Sequence, residues 1–166
     1  MRTLSWRPAV GCIAALVLLA GGSGYAAGNR AIDFKATDLK GNPFYGRSLE
    51  GKIVLLDFWA VWCPPCLKAI PVLGKLHRDF GGENFHVLGM AVYSGTGEDV
   101  SSFIQEHHIE YPMVVGDDDI VEDFGVIGYP TYFVIDPAGN VYKKYVGELE
   151  DLYDRVAKDI AILKER

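Results

Sequence analysis

Cysteine is scarce in this chain: Cys12, Cys63 and Cys66 are the three among 166 residues. That excludes a scaffold stapled by several disulfides. Two cysteines three positions apart also cannot form a structural zinc site alone, since such a site takes four ligands. The histidines, His77, His86, His107 and His108, show no paired ligand spacing and read as surface or satisfied residues, so no metal is expected. Runs of Lys or Arg are missing too. With 16 basic and 22 acidic residues the formal net charge is -6, which argues against a nucleic-acid partner. There is no internal repeat, linker or second domain, and a content of 49% hydrophobic and 23% charged residues fits one globular unit with a sizeable core.

Charge is also lacking between Arg7 and Arg30. Arg2 and Arg7 precede an apolar run from Ala9 to Ala20, and the small-residue segment "GGSGYAAG" follows. This is the pattern of an export signal over residues 1–26, cleaved after Ala26, with Gly24 and Ala26 as the small residues at the cleavage site. The strongly apolar part is short against the roughly 20 residues that span a bilayer, though an uncleaved N-terminal membrane anchor stays open. Cys12 lies inside that run, so the exported domain, residues 29–166, keeps Cys63 and Cys66. The apolar run follows Cys12 where a lipid-anchored cysteine would need it to precede.

What is present is an alternation of strands and helices. "IDFKATDLKGNPFYGRSLEGK" reads as irregular or hairpin-like, and "IVLLDFWA" as a strand buried on both faces. Residues 63 to about 80 read as a helix, "NFHVLGMAVY" as a strand, and "GEDVSSFIQEHH" as a helix with Val100, Phe103, Ile104 and His107 on one side. "YPMVVGD" is a short strand and "DDIVEDFG" a short helix with an acidic start. A hairpin, "TYFVID" and "VYKKYVG" around "PAGN", precedes a last helix with Leu152, Val156, Ile160 and Leu163 along one side. The expected class is α/β, with a central mixed sheet flanked by helices.

The stretch "VLLDFWAVWCPPCLKAIP" carries the chemistry. Cys63 stands where the helix begins, and Pro64 and Pro65 fit a first turn whose missing N–H groups cost nothing. Cys66 then supplies the first backbone N–H able to point back at the Cys63 sulfur. A thiolate there gains that donor and the positive end of the helix dipole. Positions i and i+3 are close enough to close a disulfide, and a bridge this short stabilises little through chain entropy, so it makes a poor staple. Cys63 is therefore expected to be the exposed nucleophile and Cys66 the buried resolving thiol. Trp59 reads as core, and Trp62 as a partly exposed apolar rim for substrates. Pro71 sits two turns into the helix and is expected to kink it. Asp57 interrupts an apolar strand, so burial should raise its pKa and suit it to take the Cys66 proton.

"LLDFWAVWCPPC" resembles the active-site segment of thioredoxin. With "DLKGNPFYGRSLEGKIVLLDFWAVWCPPC" and "FGVIGYPTYFVIDPAGNVYKKYVG", most of the chain after Asn29 resembles the TlpA/ResA-like thiol-disulfide oxidoreductases. The resemblance implies a thioredoxin-like fold with an extra strand-helix insertion, and reduction of selected disulfides outside the cytoplasm, often in cytochrome c maturation. It also implies a buried acid at Asp57 and a cis Tyr129–Pro130 bond beside the cysteines. X-Pro bonds are cis in only about 5–6% of cases, so the residues by themselves favour trans. The Tyr129 backbone would pair with an extended substrate while Pro130 crowds out a metal. Many relatives carry glutamate three residues after the second cysteine, and this chain has Ala69. Peroxiredoxins share the opening of the motif, but their catalytic Pro and Thr would fall at Leu56 and Ala60.

The expected protein is thus an exported enzyme that exchanges a Cys63–Cys66 dithiol with protein disulfides, acting as a reductant. It would work as a monomer without a cofactor, fed by a membrane or periplasmic electron donor. A thiol oxidase or isomerase, and a non-catalytic module that binds peptides or a metal, are the alternatives.

Overall fold

The computed structural model describes residues 30–165. The expected signal peptide or anchor, with Cys12, lies outside them. Among the described residues no helix is long and apolar enough to cross a membrane.

The strand that organises the molecule is β3, Ile53–Trp59, buried at all seven positions. Side chains alternate across a strand, and β3 feeds two cores. Ile53, Leu55 and Trp59 join a cluster with Leu73, Leu76, Val100, Val156 and Ile160. Val54, Leu56 and Phe58 join the other, with Phe34, Ile120, Phe124 and Phe133. The same alternation puts Asp57 on the first face, among the helices.

Around β3 the chain runs β1 (Lys35–Asp38), β2 (Pro43–Tyr45), a 3-10 turn (Gly46–Leu49), β3, α1 (Pro64–Phe80) and β4 (Phe85–Ala91). It continues through α2 (Gly97–Glu106), β5 (Met113–Val115), α3 (Asp118–Asp123), β6 (Thr131–Ile135), β7 (Val141–Val146) and α4 (Leu152–Lys164). The strands form one seven-stranded sheet in the order β2-β1-β5-β4-β3-β6-β7. β3, β4 and β5 are parallel, while β1 and β2 on one flank and β6 and β7 on the other are antiparallel to their neighbours. The α2–β5 unit, between β4 and α3, is the insertion expected from the sequence.

Helices α1, α2 and α4 cover the first face, and α3 with the segment before β1 covers the second. Val156, Ile160, Leu152 and Leu163 of α4 are all buried, as their spacing requires. The start of α2 is fixed by a capping box, in which the Thr96 hydroxyl accepts from the Asp99 N–H and the Asp99 carboxylate accepts from the Thr96 N–H. His107 closes α2 and stacks on Phe103 with ring centroids 4.0 Å apart. Pro71 lies inside α1 without dividing it.

Both edges of the sheet are blunt. β2 has three residues and begins with Pro43, while β7 turns Lys143 and Lys144 outward.

Candidate active site

Cys63 is the N-cap of α1, with extended backbone (φ -98, ψ 100), and Pro64 and Pro65 fill the first turn. The Cys66 N–H donates to the Cys63 sulfur at 3.3 Å, as the proline pair requires. The two cysteines are joined as a disulfide with Cα atoms 5.3 Å apart. Both are buried, Cys63 at 4% and Cys66 at 3% exposure, which corrects the expectation that Cys63 would be the exposed one. In the closed bridge the Cys63 sulfur is held back over the helix start by its bond to Cys66. The N-cap position distinguishes the two residues where exposure does not.

The turn that delivers Cys63 is built by backbone polar groups. The Cys63 N–H donates to the Ala60 carbonyl at 3.1 Å, and the Val92 N–H to the Trp59 carbonyl at 3.0 Å. The Val61 N–H donates to the Ser94 hydroxyl at 3.1 Å, and that hydroxyl donates to the Val92 carbonyl at 2.9 Å. Ser94 thereby ties the segment before Cys63 to the loop after β4.

Trp59 is core at 1% exposure, and Trp62 stands 59% exposed. The Trp62 ring meets Tyr129 edge-on at 6.1 Å, and Tyr129 meets Tyr93 edge-on at 6.4 Å. Tyr93 adopts the left-handed conformation, φ 51, and is itself exposed, as is Ile127 two residues before Tyr129. Tyr93 was not legible as a rim residue in the sequence. The Tyr129–Pro130 bond is cis, Pro130 is buried, and Tyr129 packs on the core cluster that contains both cysteines.

Asp57 is 3% exposed and its Oδ1 has no hydrogen-bond partner in the protein. Burial pushes its carboxyl up to about 8. Asp159, the other buried aspartate of the described residues, is by contrast satisfied by the Tyr145 hydroxyl at 2.7 Å. Leu56 and Ala60, the positions that separate this chain from the peroxiredoxins, are fully buried at 0% exposure, and Leu56 faces the opposite core from Asp57. Ala69 borders a cleft of about 160 Å³ with Pro65, Lys68, Tyr132 and Glu148, at whose mouth Lys68 pairs with Glu148 at 3.0 Å. Among the described residues no group of three or more His, Cys, Asp or Glu is arranged to hold a metal ion.

A strand-to-helix turn that carries a cysteine pair, with a buried carboxyl group on the same face of the sheet, can carry out thiol–disulfide exchange, and the relatives agree. The family model described as AhpC/TSA matches residues 27–144. Thiol-disulfide oxidoreductase ResA of Bacillus thuringiensis is 30% identical over 73% of this chain and 70% of its own length. ResA of Bacillus subtilis is 28% identical over 81% of this chain and 75% of its own. Two solved structures superpose on it at 30% identity. One, a thiol:disulfide interchange protein of the thioredoxin family from Chlorobium tepidum, has a TM-score of 0.68 and covers 80% of this chain and 95% of its own. The other, a thiol:disulfide interchange protein from Bacteroides sp., has a TM-score of 0.71 and covers 83% and 92%. The chain belongs to the AhpC/TSA family and, within it, is a ResA-like thiol-disulfide oxidoreductase whose redox pair is Cys63–Cys66.

Proposed function

We propose that this enzyme works outside the cytoplasm as a reductant of protein disulfides, in the kind of thiol delivery that cytochrome c maturation requires. The observation that carries the direction is the poverty of donors at the Cys63 sulfur. Pro64 and Pro65 offer no N–H, so the Cys66 amide at 3.3 Å is the donor the helix start provides. A buried carboxyl with a pKa near 8 lies on the same core face. A couple becomes oxidising when its reduced form is stabilised, chiefly as thiolate. Few donors and a nearby potential anion favour the disulfide form, and hence electron donation.

In the reaction the Cys63 thiolate attacks one sulfur of the substrate disulfide, and the other substrate sulfur leaves as a thiolate and takes a proton from solvent. Asp57 accepts the Cys66 proton, the Cys66 thiolate attacks the Cys63 sulfur, and the second substrate sulfur leaves. That sulfur too leaves as a thiolate and takes a proton from solvent, so two electrons pass to the substrate, the Cys66 proton stays on Asp57 until it is released to solvent, and the enzyme ends as the disulfide. Trp62, Tyr129 and Pro130 serve as the substrate-binding surface, with Trp62 as an apolar rim and the Tyr129 backbone as a pairing edge for an extended segment. A membrane or periplasmic donor then restores the dithiol.

The test is the reduction potential of the Cys63–Cys66 couple, equilibrated against glutathione. A couple more reducing than glutathione is the expected result, and a more oxidising one would make the enzyme a thiol oxidase or isomerase. Failure to react with a model disulfide at all would leave only a binding module.

A further inference from the structure

Two aromatic side chains beside the redox pair stand in solvent, Trp62 and Tyr93, and both rings meet that of Tyr129, which is half-buried. The rings are set steeply to one another, at 85° for Trp62 against Tyr129 and 65° for Tyr93 against Tyr129, so none lies flat over its neighbour. An exposed aromatic face carries partial negative charge and attracts a cation. Tyr93 is held out by a backbone in the left-handed region (φ 51), which a bulky residue rarely adopts. Ser94 ties that loop to the turn before Cys63, so the rim is built before a client arrives.

Charge points the same way. From Asp79 to Tyr142 the chain carries twelve acidic residues and no lysine or arginine. Several of these carboxylates are occupied: Asp99 caps α2, Glu110 pairs with Arg78, and Asp117 accepts from the Ile120 N–H at 3.0 Å. Asp118, the next residue, is exposed and stands against the rim. Desolvation and then the Asp118 carboxylate raise the Tyr93 phenol, and desolvation, Tyr93 and Asp118 together raise that of Tyr129. Lys68 of α1 is paired with Glu148, and Lys144 of β7 donates to the Gly125 carbonyl at 2.8 Å.

We propose that Trp62, Tyr93, Tyr129 and Asp118 form a cation-binding rim that selects clients with a lysine or arginine beside the cysteine to be reduced. Resting on the rim's reading as the substrate-binding surface, this preference acts on client binding before Cys63 attacks. An extended client that pairs with the Tyr129 backbone carries its flanking side chains across the rings. An ammonium or guanidinium group there gains the ring faces and the Asp118 carboxylate together. A client carboxylate in the same place meets Asp118 as a like charge.

The experiment follows reduction of two disulfide peptides that carry lysine or glutamate on both sides of one cysteine and are otherwise identical. The readout is the ratio of their kcat/KM values, so a general loss of activity in a variant cancels. The lysine peptide should be reduced about tenfold better at low ionic strength, and the ratio should shrink to about twofold in about 1 M salt. Tyr93→Asn, which removes the ring but suits left-handed backbone, and Asp118→Asn should each bring the low-salt ratio to about threefold or below. Glu83→Gln removes an equal charge ahead of β4, at the opposite end of that strand from Tyr93, and should leave the ratio unchanged. Equal reduction of both peptides, a ratio unmoved by Tyr93→Asn or Asp118→Asn, or an equal fall in Glu83→Gln overturns the preference and leaves the enzyme a reductant. Reduction of neither peptide overturns the reductant function, and the preference with it.

Discussion

The indole N–H of Trp62 donates to the carbonyl oxygen of Tyr93 at 2.9 Å, tying the turn before the redox pair to the loop after β4. One aromatic is thus held open to solvent by a bond made from its polar edge, and its apolar face stays free for contact.

Trp62→Ala should therefore weaken substrate binding more than chemistry. Loss of about 1 kcal/mol of contact corresponds to a KM raised roughly fivefold with kcat little altered. Steady-state kinetics with a peptide disulfide checks this, and unchanged turnover at low substrate would remove Trp62 from the binding surface.

Cys66→Ser should accumulate a covalent adduct with substrate through Cys63, because the attack proceeds and the resolution does not. Non-reducing electrophoresis reads it directly. In the reduced wild type, alkylation near neutral pH should label Cys63 first. An adduct held through Cys66 in Cys63→Ser, or faster labelling of Cys66, reverses the roles.

Asp57 gives stability a definite sign against pH. Its carboxyl titrates at about 8 in the folded protein, against 3.8 for an aspartate in water. Between those values the folded state holds a proton that the unfolded chain has released, so stability falls as pH rises through that interval. The ceiling on this loss is about 6 kcal/mol. Asp57→Asn should slow release of the mixed disulfide near pH 7 and yet resist urea better, with the gain larger at about pH 8 than at about pH 5. An equal gain at both pH values would place the carboxyl's titration elsewhere.

Gly89 sits opposite Asp57 on β4, where an added Cβ would come within 2.5 Å of the Met113 sulfur and 3.2 Å of the Trp59 Nε1. Methionine can yield, so Gly89→Ala should cost about 1–2 kcal/mol, and Gly89→Val more. The denaturant midpoint with an unchanged slope measures it.

Much of the fold is written plainly in the chain. An unbroken apolar run announces β3, and a cysteine followed by two prolines announces the start of α1. The cis bond at Pro130 follows from family likeness and from nothing in the residues themselves, since local preference runs the other way. The Thr96–Asp99 capping box is present as a spacing, but the same spacing occurs in many loops and marks a helix start only once the backbone is known. Tyr132 is invisible as the cross-strand neighbour of Asp57, because strand register brings together residues 75 positions apart, and a tyrosine in an apolar strand looks like packing. Nothing in the sequence sets Tyr93 and Ile127 outside, and the path of the loops leaves them exposed. The burial of Cys63 is hidden as well, because its place at a helix start says nothing of what the neighbouring loops cover.

The blunt margins of the sheet bear on selectivity. A long open strand edge recruits extended polypeptide segments whatever their cysteine content. Here Pro43 denies one margin a donor, and the lysines of β7 surround the other with charge. Neither margin therefore offers a long open template for strand pairing, and a disulfide-bearing chain is left to meet the enzyme at its cysteine pair.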